Sequence, residues 1–226
     1  MAESTTVSTM ISLIRRKTDQ ENSTFVTDDE LIEFIDLSYK ELYNKLIEAN
    51  STYFLTSTQI SVVGGQDIYA LPTDFYKVQG VDVNVSGDRA ISARPFNFEE
   101  RNRKNYNGYY ANSFGYIIRG DSIQFLPTPF GSQNVVLWYI PLPQTITATT
   151  DTINTVNGGF RWIVADVCIM VATKEESDTT SFETEKMRHE ENIRKSFAIR
   201  DEGMAQRVTD INDINDYYFD GYGGVL

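Results

Sequence analysis

The 226-residue sequence is poor in the residue types on which most catalytic and metal sites depend. It contains one cysteine, Cys168, and one histidine, His189. A single cysteine excludes an internal disulfide and is typical of a chain that folds in a reducing cytoplasm. Metal sites need several His, Cys or carboxylate ligands at set spacing, and the sequence shows no such spacing. We therefore expect no metal and no cofactor.

The motifs of phosphate and acyl chemistry are also missing. Neither G-x-G-x-x-G nor G-x-x-x-x-G-K-[ST] occurs, and Gly64-Gly65 is more typical of a hairpin turn than of a phosphate-binding loop. Cys168 lies in an apolar segment, which predicts an inert buried thiol. His189 lies among glutamates, which predicts a solvated side chain. These features predict that the chain is not an enzyme.

Long apolar runs and positive charge are scarce as well. The run 162–172 is interrupted by Asp166 and falls short of the ~20 residues that a membrane span needs. The sequence does not open on a basic segment followed by an apolar one, so we expect no secretory signal. With 20 Lys and Arg against 32 Asp and Glu, the net charge is −12. Such a surface disfavours specific DNA binding; it suits solubility, and also a channel wall past which DNA slides.

Helical periodicity is present near both ends of the chain. Thr27-Asp28-Asp29-Glu30 predicts a capping box, and an apolar stripe continues from it to Leu46. Glu41 and Lys45 are spaced for an ion pair on the exposed side of this helix. A shorter helix is predicted before it from Val7, Met10, Ile11 and Ile14.

The C-terminal helical region begins at Phe160. Apolar residues cover nearly every face from Trp162 to Ala172, which predicts a helix that is buried all round. Asp166 within it needs a partner, and a buried structural carboxylate is favoured over a catalytic acid.

A further helix is predicted after it, with few apolar residues. A second capping box, Thr180 to Glu183, opens this helix, and Gly203 is its predicted stop. Two exposed ion pairs are predicted on it by the four-residue spacing, Glu190–Arg194 and Glu191–Lys195.

Short β-prone runs separated by turn signals lie between the two helical regions. They predict a meander of antiparallel strands that forms a sheet or a small barrel. The predicted strands are 53–63, 66–71, 76–85, 89–93, 116–119, 122–126 and 134–140. Segments 105–115 and 141–159 are predicted to be loops, and the first carries Tyr106, Tyr109, Tyr110 and Phe114.

The order of these segments predicts an α+β fold. N- and C-terminal helices pack together, an antiparallel β-sheet or small barrel is inserted between them, and an extended C-terminal arm follows. The predicted division is residues 1–50 and 160–203 for the helical layer, 51–159 for the inserted β region and 204–226 for the arm.

Several short motifs follow one another in a characteristic order. They are Leu71-Pro72-Thr73-Asp74-Phe75-Tyr76-Lys77-Val78, the run from Gly120 to Pro129, Leu137-Trp138-Tyr139-Ile140-Pro141, and the helix with Ala165-Asp166 and the run from Ala172 to Asp178. In this order they resemble the head-to-tail adaptor (connector) proteins of tailed bacteriophages. The resemblance covers most of residues 27–200.

The resemblance implies a structural virion protein of the head–tail neck that assembles in the host cytoplasm. Such proteins form a ring, generally a dodecamer, beneath the portal, where the ring extends the DNA channel and docks the tail. The implied partners are further copies of the chain, the portal protein and a tail or nozzle protein, and DNA passes without specific binding.

Two other interpretations stay open from the residues. One is a different virion subunit, of the tail tube or baseplate. The other is a carbohydrate-binding β module that stacks sugars on the loop from Tyr106 to Phe114.

The C-terminal arm combines acidic and aromatic residues. Residues 204–226 carry one arginine against four aspartates, a net charge of −3, which predicts no fixed structure in isolation. Aromatic side chains supply large contact areas at interfaces. We predict that four clustered residues bind a partner, either the portal or the next subunit: Tyr217, Tyr218, Phe219 and Tyr222.

Overall fold

The computed structural model describes residues 2–21, 24–86, 89–99 and 115–200, and it confirms the α+β fold. The helices are α1 (Val7–Lys17), α2 (Asp28–Ala49), α3 (Gly159–Lys174) and α4 (Thr180–Arg200). The strands are β1 (Ala2–Thr6), β2 (Thr56–Val62), β3 (Ile68–Ala70), β4 (Phe75–Ser86), β5 (Arg89–Ser92), β6 (Arg94–Pro95), β7 (Gly115–Arg119), β8 (Ser122–Leu126), β9 (Gln133–Pro141) and β10 (Thr152–Val156). Within these ranges no helix is both long and apolar enough to cross a membrane.

Helix α3 lies at the centre of the helical layer and packs against α1, α2 and α4. Trp162, Ile163 and Cys168 are completely buried in the core that these helices share. This confirms the prediction of a helix covered on nearly every side. Helices from both ends of the chain therefore form one layer, because α3 needs apolar neighbours on several faces.

The predicted capping box at the start of α2 is confirmed. The Glu30 amide donates to Thr27 Oγ1 at 3.2 Å, and the Thr27 amide donates to Glu30 Oε2 at 3.1 Å. Two of the orphan donors of the first turn are satisfied in this way.

The second predicted capping box, Thr180 to Glu183, is wrong, because the Glu183 amide donates to the Thr179 carbonyl oxygen and not to the Thr180 hydroxyl. Helix α4 begins at Thr180, whose amide donates to Asp178 Oδ1 at 3.1 Å, and the Glu183 carboxylate accepts from the Thr179 hydroxyl at 2.7 Å. Both adjacent threonines are good cap residues, so sequence alone does not separate them.

Strands β1 and β10 were not predicted, and the prediction of a loop over 141–159 is wrong for Thr152–Val156. The two strands pair antiparallel in register from Ala2↔Val156 to Thr6↔Thr152. Ile153 is completely buried against the helices. The pair joins segments far apart in sequence; β10 is rich in β-branched residues but only five residues long, and β1 has no large apolar residue to mark it as a strand.

The inserted β region contains two four-stranded sheets, ordered β2-β9-β4-β5 and β3-β8-β7-β6. The predicted sequential meander is wrong, because β9 lies between β2 and β4, and because β6 and β7 are parallel. Val81, Phe125 and Leu137 contribute to a core between the sheets. The inward residues of β9 are fully apolar, which favours a central position with a partner on each edge.

The Gly64-Gly65 turn is not a hairpin turn. Its flanking strands pair elsewhere, β2 with β9 and β3 with β8, so the turn links the two sheets. Gly65 has a φ of +85°, and a Cβ on Gly64 would lie 2.7 Å from the Phe130 carbonyl oxygen. Glycine is required here for close packing against the β8–β9 turn. The Gly120-Asp121 turn does connect a true hairpin, β7–β8.

A small aromatic contact joins the helical layer to the β region. The Tyr43 hydroxyl donates to the Pro141 carbonyl oxygen at 2.7 Å, and the Tyr43 and Phe54 ring centroids are 4.2 Å apart. Burial raises the pKa of Tyr43 to about 12. The hydroxyl therefore stays protonated and serves as a fixed donor between the two parts.

Candidate assembly surfaces

Helix α4 is fastened to α2 and α3 by charged side chains around Trp162. Lys186 Nζ donates to Asp166 Oδ1 at 2.7 Å and lies 3.5 Å from Glu41 Oε1. It also stands 4.5 Å from the centroid of the Trp162 ring, within cation–π range. The prediction that Asp166 has a partner in the helical layer is thus confirmed.

The Asp166–Lys186 pair is mostly shielded from water. The Asp166 side chain is 6% exposed and the Lys186 side chain is 21% exposed. Burial alone would lower the pKa of Lys186, but the hydrogen bond and charge of Asp166 outweigh it and hold that pKa above its ordinary value. Lys186 therefore remains a cation, and the geometry is that of a structural ion pair.

A second connection in the same region involves Glu190. Its Oε1 lies 3.0 Å from Lys45 Nζ, and its Oε2 accepts from Trp162 Nε1 at 3.3 Å. The predicted pairs Glu41–Lys45 and Glu190–Arg194 are wrong, because Lys45 and Glu190 pair with each other between helices. Sequence spacing shows neighbours on one helix but not the charges that a second helix presents.

The remaining predicted pair on α4 is confirmed. Lys195 Nζ lies 2.8 Å from Glu191 Oε1, and both side chains are more than half exposed. A pair this exposed contributes little stability.

The half-exposed carboxylate of Glu190 predicts destabilisation in acid. Burial would raise the pKa of Glu190, yet hydrogen bonds from Lys45 and Trp162 outweigh it and hold that pKa below its ordinary value of 4.5. A carboxyl group with a lowered folded pKa stabilises the fold above its unfolded pKa and loses this contribution as the pH falls through the folded pKa. We expect the free energy of unfolding, measured with urea, to decline as the pH drops below about 4.5.

Glu190→Gln should reduce the slope of this decline. The matched control is Glu33→Gln, at an exposed position of α2 that forms no ion pair with the described residues. Equal slopes in both variants would contradict a role for Glu190 in the acid response.

His189 is buried, so the prediction of a solvated side chain is wrong. It is 8% exposed, and its Nε2 lies 3.4 Å from Glu185 Oε1. Glu185 also accepts from Lys17 of α1 at 2.6 Å. The spacing of Glu185 and His189 was visible in the sequence, but the burial was not, because α4 lacks an apolar stripe that would mark its inner face.

The single cysteine is buried, and the described residues form no metal cluster. Burial raises the pKa of Cys168 to about 12, so its thiol is protonated and inert, as predicted. In the ranges that the structure describes, no three His, Cys, Asp or Glu side chains come together as a metal site.

Cys168→Ser and His189→Ala are expected to preserve assembly, because neither side chain performs chemistry. The measurement is complementation of a phage that lacks this gene, with circular dichroism to verify folding of each variant. Loss of infectivity in a variant that folds normally would contradict the non-catalytic interpretation.

A cavity of about 460 Å³ lies where α4 meets the start of α3 and the β1–β10 pair. We call it the arginine cavity after two exposed arginines in its lining, Arg161 and Arg188. The full lining is Glu3, Asn157, Gly158, Arg161, Arg188, His189, Asn192 and Ser196. Glu3 Oε2 accepts from the Gly158 amide at 3.0 Å, so a carboxylate of the protein itself already caps α3.

Among the large apolar side chains that the structure describes, Phe130 and Met187 are the most exposed. Phe130 is 92% exposed on the β8–β9 turn, where the packed Gly64-Gly65 turn also presents Val63. Met187 is 65% exposed on α4. Apolar side chains held in this way are typical of protein–protein contacts.

The partner-binding residues predicted from the sequence lie outside the described residues. These are Tyr217, Tyr218, Phe219 and Tyr222 of the arm. The same holds for the predicted helix stop at Gly203 and for the aromatic loop, Tyr106, Tyr109, Tyr110 and Phe114. Their roles stay predictions.

The family described as SU10 adaptor protein matches residues 5–208, nearly the whole chain. The chain therefore belongs to the SU10 adaptor protein family, and it is a bacteriophage structural protein of the adaptor type. No curated protein matches the sequence.

Proposed function

We propose that the protein is a head-to-tail adaptor that forms a ring of about twelve copies beneath the portal. The ring extends the DNA channel and docks the tail, at the head–tail neck of the virion. The observation that carries this proposal is the family match over residues 5–208. The protein catalyses no reaction in this role.

The exposed apolar side chains support assembly into a closed ring. A ring of one polypeptide uses a heterologous interface, in which two different surfaces of each copy meet. Phe130 on the β8–β9 turn and Met187 on α4 belong to two such surfaces. The Asp166–Lys186 pair positions α4, which carries Met187. The close contact of Gly64 positions the β8–β9 turn, which carries Phe130.

The charge of the chain supports a channel that does not retain DNA. A net charge of −12 repels phosphates, so duplex DNA gains no counterion-release affinity from this surface. A moving duplex then meets no strong binding site along the wall.

The arm is proposed to bind a neighbour through its aromatic cluster. Tyr217, Tyr218, Phe219 and Tyr222 supply the contact area, and the portal or the next subunit supplies the groove. The proposed division of the chain stays 1–50, 51–159, 160–203 and 204–226.

Portal binding tests the proposal against the alternative of a tail-tube or baseplate subunit. The purified protein is mixed with the phage's portal and, separately, with its tail-tube protein, and complexes are measured by analytical ultracentrifugation. We expect a stable complex with the portal. Binding to the tail-tube protein without any binding to the portal would overturn the proposal.

A further inference from the structure

The arginine cavity is basic on a chain that is strongly acidic. Arg161 and Arg188 are exposed and form no ion pair with the described residues; the guanidinium of Arg161 lies only near the ring of Phe160, at 5.9 Å. Lys17, Lys45 and Lys186 of the helical layer are paired with carboxylates, whereas Arg16 and Arg194 form no ion pair with the described residues but do not line this cavity. Two unpaired arginines beside one cavity therefore mark a site for carboxylates.

The N-terminus of α3 is not the anion site in this cavity. Glu3 already accepts from the Gly158 amide, which neutralises the positive end of the helix dipole. The charges left to recognise a ligand are the two guanidinium groups, and beside them stand the polar side chains of Asn192 and Ser196.

We propose that the arginine cavity binds the acidic stretch Asp210–Asp216 of the same chain. This stretch carries Asp210, Asp213 and Asp216 and contains no basic residue. Its carboxylates would pair with Arg161 and Arg188, and the side-chain amide of Asn192 would donate a further hydrogen bond. The aromatic cluster that follows stays available for another protein, so this inference does not depend on the proposed ring.

The lining of α4 leads from the cavity toward the start of the arm. Arg188, Asn192 and Ser196 are spaced four residues apart, so they lie in a row along one side of the helix. Arg188 is followed by twelve residues of helix to Arg200, which span about 18 Å at 1.5 Å per residue.

The length of chain after α4 is sufficient for the return. Asp210 follows Arg200 by ten residues, and an extended chain of that length spans about 33 Å. A segment returning along α4 meets Ser196 first, then Asn192, then Arg188. Attachment to the same chain also gives the acidic stretch a high effective concentration at the cavity.

The test measures amide hydrogen exchange by mass spectrometry in peptides from 205–216 of the full chain. In Arg161→Glu/Arg188→Glu, exchange in this stretch should accelerate at least about tenfold relative to the unaltered protein. Arg194→Glu is the matched control, because Arg194 is also exposed on α4 but does not line the cavity. Unchanged exchange in the double variant, or equal acceleration in the control, would overturn the proposal.

Two further measurements keep the result specific. Amide exchange in α3 must stay slow in every variant, which shows that the helical core is still folded. If α3 exchanges faster in Arg161→Glu/Arg188→Glu, the variant Arg161→Gln/Arg188→Gln is used in its place. In the Arg161→Glu/Arg188→Glu background, Asp210, Asp213 and Asp216 are then changed to arginine. If this change restores protection of the stretch from exchange, the result supports direct pairing. Failure of this charge swap to restore protection would count against it.

A disulfide experiment separates the same chain from a neighbouring one. In a Cys168→Ser background, Asn192→Cys and Asp213→Cys are placed in one chain, or singly in two chains that are mixed. A bridge within one chain supports the proposal. A bridge that forms only between chains would overturn it, and neither result bears on whether the protein binds the portal.

Discussion

Lys186→Met is expected to lower the free energy of unfolding by about 3 kcal/mol. The change leaves Asp166, whose side chain is 6% exposed, without the cation that lies 2.7 Å from it. Asp166 Oδ2 already has no hydrogen-bond partner among the described residues, so the lost charge is not replaced locally. We expect a loss of stability at the lower end of the range for breaking a buried ion pair, because 21% of the Lys186 side chain is exposed to solvent. Urea unfolding at neutral pH is the measurement.

Two variants show whether the stranded charge is the cause. Asp166→Leu/Lys186→Met removes both charges and should recover most of the loss. Lys195→Met is the matched control on α4; its pair with Glu191 is exposed, so the cost should stay within about 0.5 kcal/mol. If Lys186→Met costs no more than Lys195→Met, the buried pair does not hold α4 in place. An unchanged melting curve in Asp166→Asn would contradict the account in the same way.

Truncation after Gly203 is expected to abolish stable neck assembly while leaving a folded subunit. The described hydrophobic clusters are built from residues up to Ile193, and these residues remain in the truncated chain. The removed residues include the aromatic cluster, Tyr217, Tyr218, Phe219 and Tyr222, which supplies the proposed contact with the portal or the next subunit. The measurement is the infectious titre of a phage that carries the truncated gene.

The matched comparison changes the aromatic residues alone. Replacing Tyr217, Tyr218, Phe219 and Tyr222 with serine in the full chain should reduce assembly as far as the truncation does. Replacing Asp210, Asp213 and Asp216 with asparagine should have a smaller effect. Normal titres from the truncated gene would show that the arm is dispensable for the neck.

Local features of the fold were predictable because they depend on residues close together in sequence. Thr27 and Glu30 are three residues apart, and their capping box is present as predicted. The burial of α3 followed from an apolar run with no polar face. The need of Asp166 for a partner followed from the cost of burying a lone carboxylate.

Features that depend on distant segments were not predictable from the same patterns. The insertion of β9 between β2 and β4 is decided by sheet packing, and a meander is only the commonest order. The pairing of β10 with β1 joins two five-residue strands about 150 residues apart, a contact that no local pattern indicates. Lys186 was not identifiable as the partner of Asp166, since several lysines and arginines on the C-terminal helices were equally plausible by spacing.

The candidate surfaces were predicted less completely than the fold. The arginine cavity forms where α3, α4 and the β1–β10 pair meet. Neither β1 nor β10 was predicted from the sequence. Arg161 and Arg188 were not distinguishable from the other arginines in the sequence, because only the fold places them beside one cavity. Phe130 directly follows the motif run from Gly120 to Pro129, but its 92% exposure was not visible in the sequence.

The central claim is that this chain forms the ring between the portal and the tail. Electron cryomicroscopy of the protein bound to its native portal measures this most directly. The account predicts a closed ring of this chain, coaxial with the portal and in contact with it, with the narrowest opening continuous with the portal channel. Particles in which the protein forms no ring, or stacks into tubes that leave the portal bare, would contradict it.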